Sequence, residues 1–275
     1  MEEYVPSVTE KNRNAVVGFG GLLPSQESPP LFVDESATYA RAGTFTVVQV
    51  NGGVNNPSFP NGQAKVEIQY TTAMAFPTPL IFYSIGGVMR WAPDGMPIVR
   101  DTFLKWFNHI PGGPTRNILQ TASMSYTVDK WDLPIKYAAD VCQLFSQLGA
   151  RGVSVLVANS NNGIRNGNCE DNEGNVGFIP LFPSSCTCGI LSPLPSSTSC
   201  SQDRRGFTGP WVTSVGSTRS FPEVVASFSG CGFLTYFAHP RYRFDVMPGF
   251  LQAIGTQHAG LFKCAWQTME HTRCS

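Results

Sequence analysis

Residues Tyr137-Ala138-Ala139-Asp140-Val141-Cys142-Gln143-Leu144-Phe145-Ser146-Gln147-Leu148-Gly149 stand just ahead of Gly152-Val153-Ser154-Val155-Leu156-Val157-Ala158. In the first stretch Tyr137, Ala138, Val141, Phe145 and Leu148 recur at helical spacing, and Gly149 is placed to end the helix. The second is a short β-branched run that reads as a buried strand. A helix feeding a buried strand through a short link is the repeating unit of a parallel α/β sheet. Ligand sites in such sheets lie beyond the carboxyl ends of the strands. Here that position falls on Asn159-Ser160-Asn161-Asn162-Gly163.

Working outward, residues 14–20 and 44–51 read as strands, being β-branched and bounded by turn residues. Between 51 and 62 the chain is rich in Asn, Gly and Pro and reads as a loop. Residues 63–76 read as a largely buried helix, with Ala64, Val66, Ile68, Tyr70, Ala73 and Met74 apolar and Pro77 and Pro79 stopping it. The run 79–85 predicts a strand covered on both faces, and 118–126 a further strand. Residues 187–209 break the pattern: rich in Ser, Pro, Cys and Gly, they read as an inserted irregular loop.

Composition narrows the function classes. Apolar residues make up 42% of the 275 and charged residues only 14%, with 27 Gly and 21 Pro. That balance suits a loop-rich α/β domain with a real core rather than a helical bundle. Net charge is zero and the longest basic run is Arg204-Arg205, so no basic stripe exists to neutralise phosphates and no nucleic-acid partner is expected. No stretch has the length and apolarity of a membrane-spanning helix, so no membrane partner is expected. Met1-Glu2-Glu3-Tyr4 is acidic and polar, unlike the start of a signal peptide. The eight cysteines favour disulfides and an oxidising compartment, with zinc at Cys186-Thr187-Cys188 as the alternative.

Several segments together resemble the sedolisin (serine-carboxyl) peptidases, above all the fungal secreted tripeptidyl-peptidases. They include Val47 to Gly53, Gly62 to Gly87, Ser123 to Cys142, Leu148 to Gly163, Phe178 to Cys186, Pro210 to Thr218 and Phe228 to Tyr242. The resemblance implies a single, partial peptidase domain over 1–275. It would be a subtilisin-like three-layer α/β fold with a largely parallel sheet, incomplete at its C-terminus. The 187–209 insertion and a tail at 263–275 are foreign to the family pattern. It also implies an extracellular location, acid proteolysis, and peptide or unfolded protein as the partner in the cleft. No cofactor is expected in this chain; the family's calcium site would lie beyond its end.

The family pairs a Glu and an Asp four residues apart on a helix, so that both carboxylates share one face. Aligning the motif puts Gln63 at the Glu position and Glu67 at the Asp position. An amide does not take and return a proton as a carboxylate base does. Asn161 falls at the position of the oxyanion Asp, where an amide N–H is a competent donor. The nucleophilic Ser of the family lies in a Gly-Thr-Ser turn, and these 275 residues contain no such tripeptide. Nor is there a Gly-x-Ser-x-Gly elbow. His109, His239, His258 and His271 fall on loop-like or terminal stretches, and nothing in their spacing supports a pair with Cys231. The expectation is therefore a peptidase relative without catalysis. The alternatives are an active acid peptidase segment lacking its Ser-bearing part, or a secreted peptide-binding module.

Overall fold

The computed structural model describes residues 9–20, 22, 28–55, 62–87, 102–110, 118–129, 133–158, 181–184, 186 and 190–191. The chain divides into two compact units, one of 1–126 with 144–156 and the other of 127–143 with 157–275.

The first unit is an α/β assembly on a largely parallel sheet. Strands β1 (Asn14–Phe19), β2 (Phe45–Val50), β3 (Leu80–Ile85), β4 (Thr121–Met124) and β6 (Ser154–Val157) lie in the order β2-β3-β1-β4-β6. β1 runs parallel to β3, with Val16 opposite Phe82, and parallel to β4, with Val16 opposite Ser123. β2 runs parallel to β3. All five strands fall within runs read as strands, but β6 is not buried on both sides. Its burial alternates, with Val155 and Val157 covered and Leu156 41% exposed.

Strand alternation builds two apolar layers. On one face Val16, Leu80, Phe82 and Phe45 pack with Ala64 and Ile68 of helix α2 (Gly62–Ala75). Alternate residues supply the other face: Phe19 stacks on Phe103, and Tyr83 meets Trp106 edge-on. Phe103 and Trp106 belong to helix α3 (Thr102–His109), whose Trp106 and Phe107 also contact Phe145. Helix α1 (Ser28–Ser36) sits beside α2 through Val33, Ala37, Ala40 and Ala73.

α1 and α3 have no counterpart in the sequence reading. α1 opens on Ser28-Pro29-Pro30, and proline at the first helical positions loses no hydrogen bond because those N–H groups are unpaired anyway. In α3 the signal was present: Phe103, Trp106, Phe107 and Ile110 lie three, four and seven apart and all are buried. His109 consequently ends a helix rather than lying on a loop, and rests edge-on against Tyr83 at 5.9 Å.

α2 also corrects its expectation. It is a one-faced helix: Ala64, Ile68, Thr72 and Ala73 are buried, while Val66, Tyr70 and Met74 form an exposed line at four-residue spacing. Helix α4 (Ile135–Ala150) passes Gly149 and stops one residue later. Its terminator is Gly152, at φ 85°. Val153 N–H bonds the Leu148 carbonyl at 3.0 Å and Gly152 N–H bonds the Gly149 carbonyl at 2.9 Å, a Schellman closure. Only the residue that must turn left-handed needs to be glycine, so Gly149 remains helical.

In the second unit β5 (Val128–Asp129) pairs antiparallel with β7 (Leu181–Phe182), and a short β8 (Ile190–Leu191) falls inside the segment read as irregular. Cys142 and Cys186 form a disulfide across 44 residues of sequence. Closing a loop of that size restricts the unfolded chain by about 4 kcal/mol. The bond commits one of the two thiols on which a zinc site at Cys186 and Cys188 would have rested. Asn161, Cys188, Cys231 and the 263–275 tail lie outside the described residues.

Candidate functional site

The described part of the candidate site lies in the first unit, at the carboxyl ends of the parallel strands. β4 ends at Met124, and Ser125 and Tyr126 follow it there. Phe19, the last residue of β1, Tyr126 and Phe103 pack their rings together, with Phe19 and Tyr126 centroids 4.9 Å apart. This aromatic group fixes where the chain leaves β4. α2 begins at Gly62, so its first turn carries Gln63 and its second Glu67. Because Ala64 and Ile68 are driven into the core, their neighbours Gln63 and Glu67 are rotated toward the end of β4.

The side chains meet there. The Gln63 amide donates one N–H to Glu67 Oε1 at 3.0 Å and one to the Ser125 backbone carbonyl at 2.9 Å. Gln63 is exposed and Glu67 half-buried. Glu67 Oε2 is itself shielded from solvent. Burial therefore holds the Glu67 carboxyl above its ordinary value near 4.5; the bond from Gln63 and, after it, the Ser125 hydroxyl pull the other way. Tyr83, on the sheet face covered by α3, is also pushed up by burial, against a smaller opposing effect of Arg13.

A second construction stands beside it, at the ends of β2 and β3. Asn51 adopts a left-handed φ of 51° and its side-chain amide donates to the Gly86 carbonyl at 2.9 Å. The N–H groups of Gly53 and Gly86 both bond the Val50 carbonyl at 2.9 Å. Buried Ser84 accepts a bond from Val54 N–H through Oγ at 3.1 Å. A Cβ on Gly53 would lie 1.8 Å from the Ser84 carbonyl oxygen, so only glycine fits.

Of the residues singled out from sequence, the fold brings Gln63 and Glu67 together. Asn161 falls outside the described residues, as do three of the four histidines. Sequence reasoning missed Ser125, which accepts from Gln63 through its carbonyl and whose hydroxyl also bears on Glu67. A backbone acceptor at the end of a strand has no residue-type signal. Among the described residues no group of three or more His, Cys, Asp or Glu is arranged to hold a metal ion. No described helix is long and apolar enough to cross a membrane.

Comparison with known proteins gives two kinds of match. The chain is 27% identical over 272 residues to tripeptidyl-peptidase SED2 of Arthroderma otae, a match covering 95% of this chain and 42% of that protein. It is 27% identical over 273 residues to tripeptidyl-peptidase sed4 of Aspergillus fumigatus, covering 91% and 40% respectively. The chain thus spans about two fifths of the length of these relatives. Among solved structures, Pseudomonas sedolisin, a serine-carboxyl proteinase complexed with pseudo-iodotyrostatin, aligns over 86% of this chain and 61% of its own, at 12% identity and a TM-score of 0.49. No family model matches the chain.

Proposed function

We propose that this chain, a sedolisin-family relative of the fungal tripeptidyl-peptidases, does not hydrolyse peptides as its sequence stands. The observation that supports this reading is the Gln63 amide at the family's Glu position, donating to Glu67 Oε1 at 3.0 Å. A general base must hold a lone pair of suitable basicity toward the nucleophile; a carboxamide at that point gives hydrogen bonds and takes no proton. Glu67, at the family's Asp position, keeps an acid and is tuned upward by burial, but its Oε1 is engaged by Gln63. The sequence also has no Gly-Thr-Ser turn for the nucleophile. In a catalytic unit of this kind, losing one essential member costs up to about 10⁶ in turnover. Asn161, at the family's oxyanion Asp position, would still supply an N–H donor.

The substrate class that the inherited cleft would accept is peptide or unfolded protein, bound rather than cut. Extracellular residence fits the Cys142–Cys186 disulfide, which persists in oxidising compartments. The test is an assay of the purified chain at pH 3–6 with a substrate that releases an N-terminal tripeptide, paired with binding of a peptide aldehyde. Binding without turnover is the expected result. Turnover that disappears in Glu67→Gln would overturn the reading. It would instead favour an active acid peptidase segment, a possibility kept open by relatives of more than twice the matched length.

A further inference from the structure

We propose that the outer face of α2, with α1 beside it, is a self-complementary surface on which a second copy of this chain docks, the two α2 helices running antiparallel about a two-fold axis at Tyr70. The inference lies outside the peptidase reading and holds whether or not the chain cleaves peptides. All the residues concerned belong to the first unit.

The surface begins with an apolar row. Val66, Tyr70 and Met74 follow one another at four-residue spacing and all three are exposed. Residues so spaced form one ridge about 12 Å long, at 1.5 Å of rise per residue. No Asp, Glu, Lys or Arg stands in the row. Tyr39 widens it: its hydroxyl donates to the Ala73 carbonyl at 3.0 Å, which holds a ring 67% exposed beside the last turn of α2. Single apolar residues scattered over a surface are ordinary, whereas a contiguous group marks a contact site. The two tyrosines are already fixed, Tyr39 by that bond and Tyr70 by the Phe32 ring, with centroids 5.0 Å apart. Ordering them in a complex therefore costs little.

Symmetry and charge select a second copy as the occupant. A two-fold axis at Tyr70 brings residues equally far on either side of it level with one another. Val66 then meets Met74 of the second copy, Tyr70 meets Tyr70, and each ridge enters the groove beside the other. The charges obey the same rule. Lys65 stands in the first turn of α2, in one four-residue row with Ala73, and so lies on the flank that α1 covers. Val33 and Ala37 of α1 pack with Ala73, which puts exposed Glu35 level with the last turn of α2. Laying first turn against last turn therefore brings Lys65 of each copy to Glu35 of the other, twice per dimer. A parallel pairing would instead set Lys65 against Lys65 and Glu35 against Glu35. Asp34 is already engaged by Arg41 at 2.7 Å. On the opposite flank Gln63 is tied to Glu67 and to the end of β4, outside the contact.

The test is sedimentation equilibrium of the full chain from about 1 to 200 μM, the range in which small interfaces dissociate. A monomer–dimer equilibrium is expected. Met74→Lys places a charge in the apolar row and should weaken association about tenfold or more. Glu35→Lys and Lys65→Glu each create two like-charge crossings per dimer and should weaken it about fivefold, less at high salt. The double variant E35K/K65E should recover the wild-type constant. An equimolar mixture of E35K and K65E should form the mixed dimer in preference to either homodimer, because both of its crossings join opposite charges. A chain that stays monomeric throughout, or a dimer indifferent to M74K and to the charge swaps, would overturn the proposal. A second measurement covers variants that fold poorly: zero-length carbodiimide crosslinking of the unsubstituted chain, mixed with its 15N-labelled form. A Lys65–Glu35 crosslink joining a light peptide to a heavy one is expected; finding that crosslink only within single copies, or not at all, would sink the antiparallel pairing.

Discussion

At the ends of β2 and β3 the backbone is locked by main-chain contacts, whereas at the end of β4 it is held by one side-chain amide. In the first region Gly53 and Gly86 share the Val50 carbonyl and Asn51 adopts a left-handed turn. Among the described residues nothing there titrates. In the second, Gln63 reaches from α2 to Ser125, and its other partner is a buried acid. Both regions lie at the carboxyl ends of the parallel strands, yet one is set by steric exclusion and the other by the protonation and donor chemistry of side chains. Steric locks fail at any pH and by large amounts; hydrogen-bonded latches fail by small, condition-dependent amounts.

Substitutions separate these regimes. The largest effect is expected for Gly53→Ala, whose new Cβ meets the Ser84 carbonyl at 1.8 Å. Loss of about 3 kcal/mol or more, equal at pH 4 and pH 8 in urea unfolding, would fit a steric lock. A mild effect, or one that changes with pH, would break the distinction. Ser84→Ala comes next. It leaves the Val54 N–H without its acceptor and should cost about 1–2 kcal/mol, again at every pH.

Gln63→Glu probes the other region. Above the Glu67 midpoint two carboxylates one helical turn apart repel, and the Ser125 carbonyl loses its donor. The expected cost is about 1 kcal/mol at pH 8 and little at pH 4, where protonated carboxyls can still donate. If the loss is equal at both, Gln63 is not acting through Glu67. The smallest effect is expected for Met74→Lys. Met74 is 62% exposed on the outer line of α2, and a change within about 0.5 kcal/mol would confirm that this face carries no part of the core.

Much of the first unit was readable from sequence. The runs at 14–20, 44–51 and 79–85 are strands, the run at 118–126 holds the short β4 at Thr121–Met124, and the helix at 63–76 matches α2 within a residue. Their order in the sheet was not readable, because β-branched runs say that a strand exists and not which neighbour it takes. Gly152 rather than Gly149 ends α4 because the deciding quantity is a dihedral angle, and both residues are glycine. The mixed apolar pattern of α2 hid its exposed line, since Val66, Tyr70 and Met74 are as apolar as the residues that face the sheet.

The sequence by itself determined the α/β class, the resemblance to tripeptidyl-peptidases and the presence of an amide four residues ahead of an acid at 63 and 67. Only the tertiary structure decided what that amide does. Residue identity limits Gln63 to giving and accepting hydrogen bonds. Its use as a tie to Ser125 depends on α2 burying Ala64 and Ile68, and on β4 ending one bond length away from the face left over. Those are long-range packing outcomes, in which residues 62 positions apart meet because the core between them closes.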